Sequence, residues 1–257
     1  MKKYISDFTI ESIDKLHANY GLLKLKPVGS VLPEILPGQF CQVEINNSKS
    51  TFLRRPISVN YVDYKNNLLW LLVRRAGEGT NALVDANVGD KVNVVYPMGN
   101  GFSIPKDKNK RLLLIGGGVG VAPLLYFGEK LKEVGVEVNF LLGARTNKDL
   151  LELDEFKKRG NVYLSTEDGS EGEKGFVTMH SVLTQKWDMI SCCGPMPMMK
   201  AVAKYAVENG VECEVSLENV MACGVGACLC CVEDTKDHGN VCVCKEGPVF
   251  DIKRLKW

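Results

Sequence analysis

The fold of this 257-residue chain is decided at Leu112-Leu113-Leu114-Ile115-Gly116-Gly117-Gly118-Val119-Gly120-Val121-Ala122-Pro123. Four apolar residues lead directly into a glycine-rich turn, and a helical segment follows. Further apolar runs lie at 137–142, 161–165 and 189–192, and the last precedes a predicted helix over 198–209. Apolar strands that alternate with helices are typical of a parallel sheet covered by helices on its faces.

The glycine-rich turn is typical of a dinucleotide site. Glycines between a strand and a helix allow a tight turn, and they let backbone amides approach a pyrophosphate at the helix amino terminus. The strict Gly-x-Gly-x-x-Gly fingerprint is not met; Gly118-x-Gly120-x-x-Pro123 describes the stretch better, and proline suits a first helical turn. A turn that binds no ligand is the alternative. The predicted cofactor contacts are Gly116, Gly118, Gly120 and Pro123.

Two further turns follow predicted strands of the same region. Cys193-Gly194-Pro195 is expected at the carboxyl edge of the sheet, where open α/β folds bind ligands. A cysteine buried by a tight turn is an equally ordinary interpretation. Glu167 and Asp168 follow the third strand, and acidic side chains near an adenosine ribose repel a 2′-phosphate. They favour NAD over NADP, unless they belong to a solvated acidic loop.

Upstream, residues 1–103 contain short alternating strands, among them 39–45, 68–73 and 91–95, separated by turn clusters. This pattern predicts an antiparallel β-barrel. The chain becomes charged at 105–111, which suggests a boundary. The predicted fold is therefore a β-barrel over 1–103, an α/β parallel-sheet domain over 104–215 and a small module over 216–257.

The barrel region carries motifs suited to a flavin dinucleotide. They are Arg54-Arg55-Pro56-Ile57-Ser58, Leu72-Val73-Arg74 and the predicted turn Gly77-Glu78-Gly79-Thr80. Guanidinium groups bind phosphate oxygens bidentately, and glycine backbone admits close approach. Each motif alone is more often a surface arginine or an ordinary turn, so their value lies in their occurrence together.

The last region is dominated by cysteines. Cys223, Cys228 and Cys231 are spaced Cys-x4-Cys-x2-Cys, and Cys244 follows after twelve residues. This is the plant-type 2Fe–2S spacing. A zinc-binding scaffold is the rival interpretation, but zinc sites usually pair two Cys-x2-Cys knuckles and the second is missing. Cys230 and Cys242 are additional thiols, so ligand exchange stays open.

Charge and composition argue against nucleic-acid binding and membrane insertion and favour redox chemistry. The net charge is +1 and no basic stripe stands out, which argues against nucleic-acid binding. The sequence shows no signal peptide and no apolar run of membrane-spanning length. Ten cysteines in such a chain indicate metal or redox chemistry in the cytoplasm. Three histidines occur, and none lies beside a matching nucleophile.

Together these motifs resemble the ferredoxin reductase superfamily, and within it the electron-transfer subunits of class 1B dihydroorotate dehydrogenases. The resemblance covers essentially the whole chain, and its most specific part is Ser216-Leu217-Glu218 before the cysteine loop and Cys244-Lys245-Glu246-Gly247-Pro248-Val249-Phe250 after it. It implies FAD contacts and four cluster ligands. The implied FAD contacts are Arg55, Pro56, Ile57, Ser58, Leu72, Val73, Arg74, Gly79 and Thr80, and the implied ligands are Cys223, Cys228, Cys231 and Cys244.

Ligand choice and function also follow from the resemblance. Cys244 is preferred to Cys242 because it alone has the family spacing to Gly247, and Cys230 would break the loop spacing. The implied function is transfer of electrons from the FMN of a catalytic dihydroorotate-oxidising partner, through 2Fe–2S and FAD, to NAD, in a heterotetramer of two copies of each subunit. A ferredoxin-linked NAD(P)H reductase subunit or a stand-alone reductase is the alternative. The related ferredoxin-linked subunits tend to carry aspartate where Cys223 stands.

Overall fold

The computed structural model describes residues 2–46, 48 and 50–257. In chain order its strands are β1 (Tyr4–His17), β2 (Tyr20–Pro27), β3 (Phe40–Val43), β4 (Arg55–Ser58), β5 (Tyr61–Asp63), β6 (Leu68–Arg74), β7 (Lys91–Met98), β8 (Leu112–Gly117), β9 (Val138–Ala144), β10 (Asn161–Thr166), β11 (Glu173–Lys174), β12 (Met189–Cys193), β13 (Glu212–Ser216), β14 (Val232–Thr235), β15 (Gly239–Cys242) and β16 (Val249–Asp251). Its α-helices are α1 (Glu78–Val84), α2 (Ala122–Glu133), α3 (Leu153–Lys157), α4 (Met196–Asn209) and α5 (Val243–Glu246).

The amino-terminal strands form one antiparallel sheet in the order β4-β3-β7-β1-β2-β6-β5. The sheet curls so that β4 returns to contact β6, and the predicted barrel is confirmed as an antiparallel half-barrel. Alternation places Phe8, Ile10, Leu25 and Val94 inside, where all four are buried. The strands predicted at 39–45, 68–73 and 91–95 are confirmed as β3, β6 and β7.

The middle of the chain forms a second sheet in the order β11-β10-β9-β8-β12-β13-β16. Its strands are parallel except for β16, so the predicted α/β sheet is confirmed. Sequence reasoning missed β13 and β16. The edge strand β16 comes from the cysteine-rich segment, and Phe250 pairs with Val215 of β13. The last segment thus completes the sheet of the middle one. The division into 1–103, 104–215 and 216–257 stays a prediction.

Aromatic and amide contacts join the half-barrel to the second sheet. Phe102 stacks on Phe127 of α2, with ring centroids 4.8 Å apart and planes inclined by 15°. The backbone N–H of Tyr126 donates to the carbonyl oxygen of Asn60 over 3.2 Å. These contacts hold β4 and β6 opposite the turn that follows β8, and a cleft lies between them. No helix in the described residues is both long enough and apolar enough to span a bilayer.

Candidate functional site

The cleft lies where the half-barrel, the turn after β8 and the cysteine-rich segment meet. It contains about 780 Å³ of empty space, part of it open to solvent. Its walls are mainly apolar, with a few convergent polar groups. The lining residues are Phe40, Pro56, Ile57, Ser58, Leu72, Arg74, Val119, Ala122, Leu217, Glu218, Asn219, Met221 and Pro248.

Five of the nine predicted FAD contacts line this cleft: Pro56, Ile57, Ser58, Leu72 and Arg74. They lie in β4 and β6, two strands that contact each other in the half-barrel. The side chain of Val73 is fully buried in the half-barrel core, because alternate residues of a strand face opposite ways. The backbone of Val73, and not its side chain, is therefore the part that could contact FAD.

The remaining predicted FAD contacts lie together beside the cleft. A side chain at Gly79 would come within 2.8 Å of the Nε atom of Arg55, so these two residues touch. The turn predicted for Gly79 and Thr80 is wrong, since both lie in the first turn of α1. The Thr80 hydroxyl accepts from the N–H of Ala76 over 2.9 Å and donates to the carbonyl of Gly77 over 3.1 Å, so it is bound to the backbone just before the helix.

Close packing accounts for most glycines of the turn after β8. A β-carbon at Gly120 would lie 2.5 Å from the α-carbon of Gly194 and 2.6 Å from the carbonyl oxygen of Cys193. A β-carbon at Gly117 would lie 2.5 Å from the sulfur of Met198. The two predicted cofactor turns therefore pack on each other at the carboxyl edge of the sheet. Pro123 lies in the first turn of α2, as predicted.

Gly118 differs from its neighbours. It has a φ of +56°, in the left-handed region that favours glycine, and the nearest atom to an added β-carbon is 4.0 Å away. It is the position of this turn where a ligand could approach the backbone closely. Gly116, by contrast, is covered by Val121 and Leu124 of the following helical segment.

The buried Cys193 thiol lies near the carboxylate of Glu218, which lines the cleft. Burial raises the pKa of the Cys193 thiol, and the nearby Glu218 carboxylate raises it further. Burial also raises the pKa of Glu218, whereas the positive charge of Arg74 lowers it. The Glu218 side chain is exposed to solvent within the cleft, and the walls of the cleft surround it with protein atoms. The local sequence pattern did not single out Glu218; only the resemblance placed it in a specific stretch.

The acidic pair after β10 lies at the same edge of the sheet. Glu167 and Asp168 are exposed, and their backbone N–H groups donate to the carbonyl oxygens of Ala144 and Arg145 at the end of β9. The Asp168 carboxylate accepts from the backbone N–H and hydroxyl of Ser170, which lowers its pKa. Asp168 is thus held by its own loop, and Glu167 is the freer of the two carboxylates.

The cysteine loop directs backbone N–H groups at sulfur atoms. The Cys223 sulfur accepts from the N–H groups of Val225, Ala227 and Cys228 at 3.3–3.4 Å, and these bonds lower the pKa of Cys223 to about 6. Gly226 donates to the Cys244 sulfur over 3.1 Å. The Cys228 sulfur accepts from the N–H of Cys223, and the Cys231 sulfur from that of Cys244. Such bonds are typical of iron–sulfur thiolates.

The two additional thiols behave differently from the four predicted ligands. The Cys242 sulfur donates to the carbonyl of Gly226 over 3.8 Å, and it lies beside Cys231. Cys230 is exposed, and within the described ranges its sulfur has no hydrogen-bond partner. Among the cysteine sulfurs of the described residues, those of the four predicted ligands are the ones that accept backbone N–H groups. This pattern supports the assignment of Cys223, Cys228, Cys231 and Cys244, which stays a prediction.

The four sulfurs are arranged as the pairs Cys223–Cys228 and Cys231–Cys244. Among the described residues no three His, Cys, Asp or Glu side chains converge on a single ion position. Two irons that each take two thiolates fit the paired arrangement. The hairpin β14–β15 brings the second pair together, because Cys231 precedes β14 and Cys244 follows β15 closely.

Two parts of the chain match known protein families. Residues 218–256 match the iron-sulfur cluster binding domain of dihydroorotate dehydrogenase B, and residues 114–204 match the oxidoreductase NAD-binding domain. A dihydroorotate dehydrogenase B (NAD(+)) electron transfer subunit from Shouchella clausii is 40% identical over 84% of this chain and 85% of its own length. The chain belongs to this family. The Fusobacterium nucleatum relative of the same name is 36% identical over 96% of both chains.

Solved structures agree with this family. The structure described as an NADH-dependent reduced ferredoxin–NADP oxidoreductase, from work on flavin-based electron bifurcation, has a TM-score of 0.86 and 30% identity over 97% of this chain and 90% of its own. A ferredoxin reductase of carbazole 1,9a-dioxygenase shares the fold, with a TM-score of 0.69 and 21% identity over 82% of this chain and 67% of its own. These matches support FAD, a 2Fe–2S cluster and NAD as cofactors of an oxidoreductase electron-transfer subunit.

Proposed function

We propose that this chain passes electrons from the FMN of a catalytic dihydroorotate dehydrogenase subunit, through a 2Fe–2S cluster and FAD, to NAD+ in pyrimidine biosynthesis. The observation that carries the proposal is the continuity of the cleft with the cysteine loop. Glu218 and Met221 line the cleft, and Cys223 follows only two residues after Met221. Electron carriers must be held close to each other, and this short segment leads from one predicted site to the next.

The residues of the cleft suit a flavin ring. Apolar side chains of Phe40, Leu72 and Ala122 exclude water from its walls, while Ser58 and Glu218 offer polar atoms. When bound, FAD exchanges single electrons with an iron–sulfur cluster and a hydride with nicotinamide. Arg74 keeps a positive charge near the Glu218 carboxylate, which limits the rise of its pKa by burial.

The nicotinamide site would use the turn of Gly118 and the edge formed by Cys193, Gly194 and Pro195. Because Gly120 packs on Gly194, the two turns present one continuous backbone surface beside the cleft. Val119 and Ala122 already line the cleft from this side. A nicotinamide ring placed there would approach the flavin position from the sheet, opposite β4.

The catalytic subunit would dock over the cysteine loop. Val220, Val225 and Leu229 are 79%, 49% and 65% exposed, and they surround the predicted ligands. Exposed apolar side chains grouped around one site are typical of a protein interface. We propose two copies of each subunit in the complex, and we place it in the cytoplasm, where the ten free cysteines would stay reduced.

The test is co-expression with a candidate catalytic subunit, followed by purification and assay of dihydroorotate-dependent NAD+ reduction. We expect both chains to purify together, with FMN in the partner and with FAD and iron in this chain. Separation of the chains should abolish the activity. A flavin and iron–sulfur protein that purifies alone and reduces no NAD+ with the catalytic subunit would contradict it.

A ferredoxin-linked reductase subunit is the second candidate, favoured by the 30% identical NADH-dependent reduced ferredoxin–NADP oxidoreductase structure. It predicts electron exchange between reduced ferredoxin and NAD(P)H with no response to dihydroorotate. The same purified chain, assayed with ferredoxin and with the catalytic subunit, separates the two functions.

A further inference from the structure

Gln42 is a buried amide that the fold itself does not use. It lies in β3, directly opposite Pro56 of β4, and is 2% exposed. Among the described residues, neither its Oε1 nor its Nε2 atom has a hydrogen-bond partner. Buried amides are almost always paired, because water no longer satisfies them and the lost hydrogen bonds destabilise the fold. An unpaired amide at this depth therefore indicates a partner other than the chain.

The Gln42 side chain faces the cysteine loop. A β-carbon at Gly224, the residue after Cys223, would lie 2.9 Å from the Nε2 atom of Gln42 and 2.8 Å from the terminal methyl of Met98. Gly224 also has a φ of +67°, so glycine is favoured by backbone conformation as well as by space. The loop thus brings its backbone against the one amide group that projects toward it from β3.

Gln42 also borders the flavin cleft. Residues directly opposite each other in an antiparallel pair project to the same side of the sheet, and its neighbour Pro56 lines the cleft. Met98, which shares the contact with Gly224, packs in the apolar cluster that contains Met221, Cys231 and Cys244. Gln42 therefore stands at the junction between the predicted flavin position and the predicted cluster.

We propose that the Gln42 amide N–H donates a hydrogen bond to the sulfur shell of the 2Fe–2S cluster and thereby raises the cluster's reduction potential. Hydrogen bonds to sulfur are one of the factors that set such potentials, since a donor stabilises the more negative, reduced form. Gln42 is a positioning and tuning residue of the half-barrel, far in sequence from the ligands it serves. The inference rests on the proposed cluster site at Cys223, Cys228, Cys231 and Cys244.

The experiment is a redox titration of the purified holoprotein, followed by electron paramagnetic resonance for the cluster and by absorbance for FAD. Gln42→Met keeps the length of the side chain and removes the donor, and Gln42→Asn withdraws the amide from the loop. Both should shift the cluster potential to more negative values and leave the FAD potential unchanged. Iron and FAD content are measured on the same samples, so a folding defect in one variant leaves the other as the test.

Ser12→Ala is the matched control. The Ser12 hydroxyl is also buried without a partner among the described residues, but it lies in β1 opposite Lys24 and lines no part of the cleft. The Ser12→Ala variant should leave the cluster potential and the FAD potential unchanged. An unaltered cluster potential in a fully loaded Gln42→Met protein would overturn the inference, as would a shift confined to FAD. A wild-type protein that never binds iron would instead overturn the proposed cluster site.

Discussion

Two glycine-rich segments of this chain differ in what their glycines do. In the turn after β8, Gly117 and Gly120 are pressed against Met198 and the Cys193–Gly194 backbone, so protein packing alone requires them. In the cysteine loop, Gly224 and Gly226 have φ angles of +67° and +80°, and the loop directs its N–H groups at sulfurs. The first segment is held by packing alone, whereas the second combines packing at Gly224 with positive φ angles and with N–H groups that point at the sulfurs of the predicted ligands.

This difference shows that not every glycine in a glycine-rich motif beside a cofactor site contacts the cofactor. Gly118 is open to an approaching ligand, whereas Gly116 and Gly120 are not. The nicotinamide side should therefore keep its structure without ligand, while the cysteine loop should depend on iron. Cys223→Ala and Gly120→Ala test this contrast directly, and substitutions at Glu152 and Glu167 test the surroundings of the nicotinamide side.

The largest effect is expected in the cysteine loop. Cys223→Ala removes the sulfur that accepts three backbone N–H groups, so the cluster should be lost and dihydroorotate-dependent NAD+ reduction should fall to background. NADH oxidation by an artificial acceptor, which needs only FAD, should remain. Iron analysis and both assays check this. Cys230→Ala is the control and should keep the iron; iron loss in the control, or full iron in Cys223→Ala, would reverse the ligand assignment.

Gly120→Ala tests packing on the nicotinamide side. The added methyl would lie 2.5 Å from backbone atoms that cannot move independently, so we expect destabilisation by about 3 kcal/mol and a melting temperature lower by roughly 6–12 °C. Thermal unfolding with and without bound iron measures it. At Gly77, φ is 169° and no atom lies within 4 Å of an added β-carbon, so Gly77→Ala should change stability by less than about 0.5 kcal/mol. Equal melting temperatures for the two variants would contradict the packing argument.

Glu152→Gln tests a charge buried between the half-barrel and the second sheet. The Glu152 carboxylate accepts from the Asn60 amide over 2.9 Å, and burial raises its pKa to about 7 from an ordinary 4.5. The native state then holds a proton that the unfolded chain releases, so stability falls as pH rises from about 4.5 to 7. Glu152→Gln should remove this loss and be more stable than wild type at pH 8 by about 2 kcal/mol.

The control for this charge is Glu155→Gln in α3, the helix that begins directly after Glu152. Burial opposes ionisation of Glu155, but hydrogen bonds from Lys158 and Arg159 lower its pKa, so its contribution has the opposite sign and is present above about pH 4.5. Glu155→Gln should therefore lose stability at pH 8. Melting temperatures measured between pH 5 and pH 8 decide the matter, and parallel curves for wild type and Glu152→Gln would exclude the buried-charge account.

The smallest effect is expected at Glu167. Replacing this exposed carboxylate by serine removes its repulsion of a 2′-phosphate, and the ratio of kcat/KM for NADPH to that for NADH should rise about tenfold, equivalent to about 1.4 kcal/mol. Glu171→Ser, in the same loop, is the control and should leave the ratio within about twofold. A ratio unchanged by Glu167→Ser would place the ribose elsewhere.

Local pattern predicted much of this molecule. The apolar runs identified β8, β9, β10 and β12 to within two residues at either end, since strands buried on both faces leave a strong local signal. The cysteine spacing identified the four sulfurs that accept N–H groups. Strands β13 and β16 were missed because short edge and near-edge strands have little pattern of their own, and β16 pairs with a strand more than thirty positions earlier in the chain.

By itself the sequence determined the alternation of strands and helices in the middle of the chain, the four cysteine ligand candidates and the motifs for two dinucleotides, since spacing and periodicity are local properties of the chain. Only the tertiary structure decided which of the predicted residues share the cleft, that Val73 turns away from it, and that Glu218 and Gln42 face it or border it. Gln42 lies 181 positions before Cys223 in the sequence. Contacts at such separations depend on how the strands pair, and no local pattern records that pairing.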